Sequence, residues 1–298
     1  MNILITGANG MLAQEVKKRL SNYDLILTDA AELDITDEQT VLDKVSELKP
    51  DFIVNCAAFT AVDKAETAGE IVEKVNADGP GNLAKAAAKT GATLIHVSTD
   101  YVFGGNKPIE EDYSEDDEKN PNTAYGITKL HGEEQIAAAT DKFYIFRTAW
   151  LYGLGGHNFV HTMLELGRTH DKLSVVDDQH GSPTYAVDLA EVIGQVVDRA
   201  AAENPVPFGV YNCTDEGYTT WADFTKEIFR QANETYNAGI NCEVVPVTTE
   251  AYVEMMGVVQ APRPKNSQMS KAKLASVGIN MPEWKVSLAK YLAEEFEN

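Results

Sequence analysis

The sequence predicts an α/β protein with a Rossmann-type, doubly wound parallel sheet and a smaller, irregular C-terminal substrate lobe. Three observations predict it. Short runs rich in Val, Ile and Leu alternate with helical patterns over the first 150 residues, and such strands need crossover connections. A glycine-rich turn follows the first of these runs directly. After Trp150 the alternation loosens and the loops lengthen.

The N-terminal elements follow one another in a regular order. Strands are predicted at 2–6, 24–28, 51–58, 93–98 and 143–148, and their apolar composition fits burial on both faces. Helices are predicted at 11–20, 37–48, about 70–89 and about 123–139, the third of them bent near Gly79-Pro80. The acidic segment 110–118, between a strand and a helix, is expected to be a solvated loop.

The C-terminal half is predicted to be less regular. Helices are expected at 185–202, 220–232 and 284–296, and long loops at 151–158, 177–184 and 248–268. We expect a dinucleotide-binding domain of residues 1–150 plus about 184–206, and a substrate-binding lobe of about 151–183 plus 207–298. Trp221 and Trp284 begin two of the helical patterns and are expected to anchor the core rather than to contact a ligand.

Composition excludes several classes of function. The chain has 298 residues, with 25 basic and 46 acidic side chains and a net charge of −21, which disfavours nucleic-acid binding. No apolar run approaches the roughly 20 residues that cross a bilayer, and the N-terminus lacks a signal-peptide pattern. Three widely spaced cysteines make neither a disulfide framework nor a zinc knuckle. We expect a soluble, reduced, cytoplasmic protein with no membrane partner.

A metal site is not predicted. His157 and His161 are four residues apart, but Gly155-Gly156 places His157 before the helix start. No third ligand is evident in the sequence around them.

The glycine-rich turn indicates a dinucleotide site. Gly7 permits a tight turn after the first strand, and Gly10 lets the backbone approach a pyrophosphate at the positive end of the next helix. Ala13 occupies the third position, which serves helix–sheet packing more than ligand contact.

Asp29 favours NAD(H) over NADP(H). It lies at the end of the second strand, where a carboxylate accepts hydrogen bonds from a ribose diol and repels a 2′-phosphate. Residues 26–36 contain no Arg or Lys, although NADP(H) use stays open because an Arg could arrive from elsewhere.

Tyr125 and Lys129 lie one helical turn apart and indicate acid–base chemistry. On a helix the two side chains share a face, and a neighbouring ammonium lowers the pKa of a phenol. Ser98 and Thr99 stand at the carboxyl end of the fourth strand, the edge at which open α/β sheets bind ligands. A hydroxyl there is expected to hold a substrate carbonyl oxygen while Tyr125 protonates it.

These motifs resemble the extended short-chain dehydrogenase/reductase superfamily. Further segments spread over nearly the whole chain resemble its dTDP-4-dehydrorhamnose reductase family. They are DITD (34–37), CAAFTAVDKAE (56–66), STDYVFGG (98–105), RTAWLYG (147–153), NFVHTM (158–163), DDQHGSPTYAVDLA (177–190) and RPKNSQM (263–269).

The resemblance implies an NAD(P)H-dependent oxidoreductase that reduces the C4 ketone of dTDP-4-dehydro-L-rhamnose to dTDP-L-rhamnose, a precursor of cell-surface polysaccharide. It implies that Tyr125 donates the proton, Thr99 holds the same oxygen and Lys129 orients the nicotinamide ribose. The implied cofactor contacts, besides Asp29, Tyr125 and Lys129, are Gly7, Asn9, Gly10, Met11, Leu12, Asp34, Ile35, Ala57 and Ala58. The implied sugar-nucleotide contacts, besides Thr99, are Thr60, Val62, Asp100, Tyr101, Trp150 and Arg263, the last at the diphosphate. No divalent metal is required for this chemistry, and the resemblance allows a homodimer.

Two departures and several rivals accompany the resemblance. Ala13 replaces the usual Gly, and Ser182 stands where many members carry Arg, which puts that loop's phosphate contact in doubt. Related 4,6-dehydratases carry Glu at the place of Tyr101, so reduction is favoured over elimination or epimerisation. Another sugar-nucleotide reductase or epimerase stays an alternative. So does a non-catalytic nucleotide-binding subunit, because the regulatory subunit of eukaryotic methionine adenosyltransferase resembles the same family.

Overall fold

The computed structural model describes residues 1–257 and 260–297 of the chain. Its strands are β1 (Asn2–Thr6), β2 (Asp24–Thr28), β3 (Phe52–Asn55), β4 (Thr93–Thr99), β5 (Phe143–Thr148), β6 (Leu151–Tyr152), β7 (Lys172–Val176), β8 (His180–Gly181), β9 (Thr184–Tyr185), β10 (Gly209–Asn212), β11 (Thr219–Thr220), β12 (Glu243–Val247) and β13 (Asn266–Ser267). Its α-helices are α1 (Met11–Arg19), α2 (Glu38–Leu48), α3 (Val62–Ala68), α4 (Glu70–Glu73), α5 (Gly79–Thr90), α6 (Ala124–Ala139), α7 (Phe159–Thr169), α8 (Ala186–Ala201), α9 (Trp221–Tyr236), α10 (Thr249–Met256), α11 (Ala272–Ser276) and α12 (Trp284–Glu297). A π-helical turn spans Lys74–Asp78 and a 3₁₀ turn spans Asp100–Phe103.

The main sheet is parallel, with the strand order β10-β5-β4-β3-β1-β2. The chain leaves β1 toward β2 on one side and returns to β3 on the other, so the order reverses at β1 and β3. Carboxyl ends of strands at such a reversal frame a crevice in which α/β proteins bind ligands. The predicted fold class is therefore confirmed, with β3 shorter than the predicted 51–58.

Helices cover the sheet on both faces, as the apolar strands require. One face packs against α1 and α8 through a core that includes Val16, Leu189 and Val196. The other face packs against α2, α5 and α6, with Val41 and Ile136 in its core. Burial on both faces explains why β1, β3 and β5 read as continuous apolar runs.

One strand of the sheet lies in a segment that the sequence assigned to the substrate lobe. β10 pairs with β5 in register, from Gly209 opposite Tyr144 to Asn212 opposite Arg147. Its four residues are too few for a period-2 pattern to identify. The division of the chain into two domains stays a prediction.

The predicted bent helix at 70–89 is divided in the structure. α4 runs into the π-helical turn, which passes into α5 at Gly79, so the irregularity precedes Gly79-Pro80. Asn76 in this turn binds both backbone groups of Phe59 and the Thr128 hydroxyl. A Cβ at Gly132 would lie 2.3 Å from the backbone carbonyl oxygen of Asn76. A glycine is therefore needed where α6 meets the π-helical turn.

The C-terminal half contains more regular structure than the sequence indicated. α10 and the parallel pair β7–β12 were not predicted, whereas α7 begins after His157, as the sequence indicated, without a predicted end. α10 and β13 fall within the loop predicted at 248–268, of which residues 258 and 259 lie outside the described residues. α7, α9 and α12 share an apolar core in which Trp284 is buried, so its predicted core role is confirmed.

A buried ion pair fastens α6 to β5. Arg147 donates from Nε and Nη2 to the two carboxylate oxygens of Glu133, over 2.9 and 2.6 Å. Ser98 Oγ donates to the same carboxylate over 2.6 Å, and Arg147 Nη1 donates to the Glu115 carbonyl. Glu115 is itself buried and accepts from the Asn212 backbone N–H, so the prediction of a wholly solvated acidic loop is wrong there.

Replacing Arg147 by Met should destabilise the fold strongly, because it leaves the Glu133 carboxylate buried without its cation. We expect a loss of about 3–5 kcal/mol in the free energy of unfolding, measured by urea denaturation. The double variant Arg147→Met/Glu133→Leu should recover part of that loss.

Arg230→Met is the matched control. Arg230 pairs with Glu227 and Glu234 on the exposed face of α9, so its replacement should change stability by less than about 1 kcal/mol. Equal losses in the Arg147 and Arg230 variants would contradict the anchoring role of the buried pair.

Candidate active site

A cavity of about 540 Å³ opens at the carboxyl edge of the main sheet. Its walls come from the turn after β1, the ends of β4 and β5, helix α6, and Trp221 at the start of α9. A second cavity of about 300 Å³ lies along the segment after β2. The two share Gly10, Cys56 and Ala58, so they adjoin at the glycine-rich turn.

The glycine-rich turn has the backbone that an anion site needs. Gly7 has φ +65°, and a Cβ there would lie 2.7 Å from Ala57 Cα, so both conformation and space require glycine. Gly10 is the N-cap of α1, and no side chain caps this helix start. The first-turn amides of Met11 and Leu12 therefore face the cavity at the positive end of the helix dipole.

The second cavity has an acidic lining. Asp29 and Asp34 lie in its wall together with Ala57, Ile35 and Gly7. Asp29 Oδ2 accepts from the exposed Asn9 backbone N–H over 3.1 Å, and Asp34 Oδ1 accepts from the backbone and hydroxyl of Thr36.

Asn9 lines neither cavity but shapes the turn through Asp29. In the part of the chain that the structure describes, no Lys or Arg contributes to the wall of the second cavity.

Tyr125 and Thr99 meet in the larger cavity. Thr123 caps α6 by accepting from the Gly126 N–H, which places Tyr125 in the first turn of the helix. Burial raises the pKa of the Tyr125 phenol to about 12, against a lowering effect of the nearby Thr99 hydroxyl. The Thr99 hydroxyl also donates to Asp100 Oδ1 over 2.9 Å.

Lys129 lies on the same face of α6, beneath Tyr125. Its ammonium position is buried, 2.7 Å from the Val97 carbonyl oxygen and 3.0 Å from His96 Nε2. Burial lowers the pKa of Lys129 to about 8, and Glu133 opposes that shift. The predicted lowering of the Tyr125 pKa by Lys129 is wrong for this structure, because burial dominates both groups and Lys129 is engaged with β4.

Most of the predicted substrate contacts come together in the larger cavity. Its wall includes Thr60, Val62, Thr99, Asp100, Tyr101 and Trp150. Arg263 is absent from that wall and forms an ion pair with Asp63 over 2.7 Å. Its charge nevertheless reaches Tyr101, whose pKa is raised chiefly by burial and lowered in part by Arg263.

Several lining residues were not predicted as site residues. The Trp221 ring stacks on Trp150 with centroids 3.7 Å apart and a 17° angle, so its assignment to the core alone is wrong. Trp150 has φ +50°, an uncommon conformation for a bulky residue. Trp150 and Trp221 are 71 residues apart in the sequence, so no local sequence pattern could predict that their rings stack.

Ser98 was predicted as a possible contact to the substrate carbonyl. Its hydroxyl instead donates to the Glu133 carboxylate.

No metal cluster is found among residues 1–257 and 260–297, where no group of three His, Cys, Asp or Glu side chains converges. His161 pairs with Glu295 over 2.8 Å, and His157 lies in the wall of the larger cavity. Of the helices the structure describes, none has the length and apolarity to cross a membrane.

The fold and the cavity are those of a Rossmann-type dinucleotide-binding protein, with a ligand crevice at the carboxyl edge of its parallel sheet. The family model described as RmlD substrate binding domain matches residues 1–296, and the chain belongs to this family.

Named relatives agree with this membership. The chain is 39% identical to the dTDP-4-dehydrorhamnose reductase of Streptomyces griseus, over 96% of this chain and 91% of the relative. A solved dTDP-4-dehydrorhamnose reductase from Clostridium acetobutylicum is 45% identical, with a TM-score of 0.90 over 99% of both chains. A dTDP-4-dehydrorhamnose reductase from Bacillus anthracis, solved with NADP, is 36% identical, with a TM-score of 0.88 over 98% of this chain and 99% of that one.

Gly7→Ala should weaken dinucleotide binding and stability together, because the added Cβ meets the backbone of Ala57. We expect the Kd for reduced dinucleotide, measured by fluorescence titration, to rise at least about tenfold. The control Gly91→Ala has a similar left-handed φ of +83° but open space around its Cβ. It should lose about 1 kcal/mol of stability, roughly 2 kcal/mol less than Gly7→Ala, with unchanged binding. Equal effects would show that conformation alone, and not the close approach to Ala57, requires this glycine.

Proposed function

We propose that the chain reduces the C4 ketone of dTDP-4-dehydro-L-rhamnose to dTDP-L-rhamnose. The observation that carries the proposal is the convergence of Tyr125, Thr99 and Lys129 in a cavity that adjoins the glycine-rich turn. The names of the full-length relatives support the choice of substrate. The product is a precursor of polysaccharide.

The residues of the cavity supply the positions that a ketone reduction needs. A bound reduced nicotinamide supplies the hydride. Tyr125 holds a proton at its phenol oxygen, and the raised pKa keeps that proton in place until an alkoxide forms beside it. Thr99 holds the substrate oxygen that Tyr125 protonates. Asp100 orients Thr99 by accepting a hydrogen bond from its hydroxyl. The stacked pair of Trp150 and Trp221 gives the sugar side of the cavity an apolar wall that excludes water.

Arg263 is proposed to meet the substrate diphosphate. Its pair with Asp63 is partly exposed, so an incoming phosphate can compete for the guanidinium. Gly7, Gly10, Met11 and Leu12 are proposed to bind the cofactor pyrophosphate, with Asp29, Asp34, Ile35, Ala57 and Ala58 around the adenosine.

The cavity favours an active reductase over the other candidates. The three catalytic residue types converge in it, which a non-catalytic subunit does not need. A dehydratase requires a carboxylate where this chain has Tyr101, and the pKa of Tyr101 is raised by burial, so it does not exchange protons near neutral pH.

NADH is proposed as the preferred cofactor, although the Bacillus anthracis relative was solved with NADP. Asp29 and Asp34 make the adenosine side acidic, which opposes a 2′-phosphate. A cytoplasmic location and a homodimer stay predictions.

Tyr125→Phe should abolish most turnover, because the ring stays in place while its proton is lost. With the 4-keto sugar nucleotide and reduced dinucleotide, kcat should fall by about 10²–10⁴. Binding of the dinucleotide, measured by fluorescence titration, should stay nearly unchanged.

Tyr252→Phe, on α10 outside both cavities, is the matched control and should keep wild-type rates. A wild-type chain that binds both ligands without consuming the reduced cofactor would instead support the non-catalytic subunit. Wild-type turnover in Tyr125→Phe would contradict the role of this residue alone.

Asp29→Asn should shift cofactor preference toward NADPH, since the amide keeps an acceptor for the Asn9 N–H but removes the charge. We expect the ratio of kcat/KM for NADPH to that for NADH to rise about tenfold. Asp24→Asn, at the opposite end of β2, removes the same charge and should leave the ratio unchanged. A wild-type preference for NADPH would overturn the assignment of NADH.

A further inference from the structure

One carboxylate on α3 holds a distant segment of the C-terminal half beside the larger cavity. Asp63, the second residue of α3, accepts at Oδ1 from the Ala261 backbone N–H over 2.9 Å. Its Oδ2 accepts from Arg263 Nη2 over 2.7 Å. Arg263 Nη1 also donates to the Ala261 carbonyl over 3.3 Å. Asp63 therefore holds both the backbone and the guanidinium of residues 261–263.

The two charges of this ion pair lie next to the substrate side of the cavity. Val62, directly before Asp63, is part of the cavity wall, and so is Tyr101. The pKa of Tyr101 is raised chiefly by burial, lowered by Arg263 and raised further by Asp63. Both charges therefore act on the wall of the cavity, although neither side chain belongs to it.

The backbone that follows Arg263 is firmly anchored. A Cβ at Gly105 would lie 2.5 Å from Pro264 Cα, so the two backbones are in close contact. Asn266 Nδ2 donates to the Pro108 carbonyl over 2.8 Å. With the backbone fixed on both sides, Arg263 can change its partner by turning its side chain alone.

The ion pair itself is weakly held. Arg263 reaches the carboxylate through a single nitrogen, and the two side chains are 21% and 48% exposed. Among the ion pairs of the described residues, Asp63 is the one anionic partner of Arg263. A diphosphate carries more charge and more acceptor oxygens than one carboxylate, and a guanidinium binds phosphate in the same forked geometry.

We propose that Asp63 sets the affinity for the sugar nucleotide by competing with its diphosphate for the Arg263 guanidinium. The nature of the ligand rests on the proposed function. In the exchange, Asp63 Oδ1 keeps the Ala261 N–H, and Oδ2 loses the guanidinium and turns to water. About half of the Asp63 side chain is already exposed, so the released oxygen is readily solvated.

The competition lowers the affinity by a factor that the strength of the pair determines. When only a fraction of the molecules is competent to bind, the apparent affinity falls by that fraction. An exposed ion pair of ordinary strength is closed roughly 1.5 to 5 times as often as it is open. The competition should therefore weaken binding by about two- to sixfold.

Asp63→Asn tests the proposal by calorimetric titration with dTDP. The Ala261 N–H fixes the amide oxygen, so the NH₂ group faces the guanidinium and cannot hold it. The Kd for dTDP should fall by about two- to sixfold. The value of kcat/KM for the keto-sugar nucleotide should rise by the same factor. An equal or weaker affinity for dTDP in the folded variant would overturn the proposal.

A double-mutant cycle separates this competition from a general effect of charge. Arg263→Ala should weaken the binding of dTDP, because it removes the cation. In that background Asp63→Asn should have no further effect, since the pair that it breaks is already absent. The same gain in affinity with and without Arg263 would show that Asp63 does not act through the guanidinium, and the proposal would be wrong.

Glu250→Gln is the matched control. Glu250 on α10 pairs with Lys265 over 3.5 Å, and both side chains are largely exposed, so the variant removes one negative charge close to the same segment. Its Kd for dTDP should equal that of the wild type, and a gain as large as that of Asp63→Asn would contradict the proposal. If dTDP binds to none of the proteins, both the proposed substrate and this inference are refuted. The expected cycle without reduction of the keto sugar would refute the proposed function alone.

Discussion

The position of the site depends on two charged side chains that α6 buries against the sheet. Lys129 reaches β4 at the Val97 carbonyl, and Glu133, one turn later, binds Arg147 of β5. Removing an ion from water costs several kcal/mol, so each of these groups must find its partners in one geometry. That requirement fixes the rotation and depth of α6. Tyr125, one turn before Lys129, is thereby held at the carboxyl edge where Thr99 ends β4.

Backbone donors explain how an acidic protein can bind the doubly phosphorylated cofactor that we propose for it. The net charge of −21 is spread over the surface, and solvent ions screen such charges beyond about 8 Å. At the glycine-rich turn the donors are backbone amides at the start of α1, which carry no counter-charge that needs a partner. The acidic wall beside it, with Asp29 and Asp34, is the basis of the proposed preference for NADH, because it would repel a 2′-phosphate.

Local patterns carried most of what could be predicted. The turn at Gly7 and Gly10 and the pair of Tyr125 and Lys129 lie within single motifs, so spacing alone identified them as candidates. The stack of Trp150 on Trp221 and the contact of Lys129 with His96 join distant segments, and only the folded chain reveals them. The error about the Tyr125 pKa has the same origin. Helical spacing shows that two side chains share a face, but it does not show how deeply each is buried or which partners compete for the cation.

The central claim is that Tyr125 protonates the C4 oxygen of a keto-sugar nucleotide while C4 receives a hydride from reduced nicotinamide in the same cavity. Transfer of deuterium from a reduced dinucleotide labelled at its nicotinamide C4 tests this claim most directly. NMR of the sugar nucleotide product should show one deuterium at C4 of the sugar ring, on a single face. Oxidation of the cofactor with no deuterium at that carbon, or label elsewhere in the sugar, would contradict it.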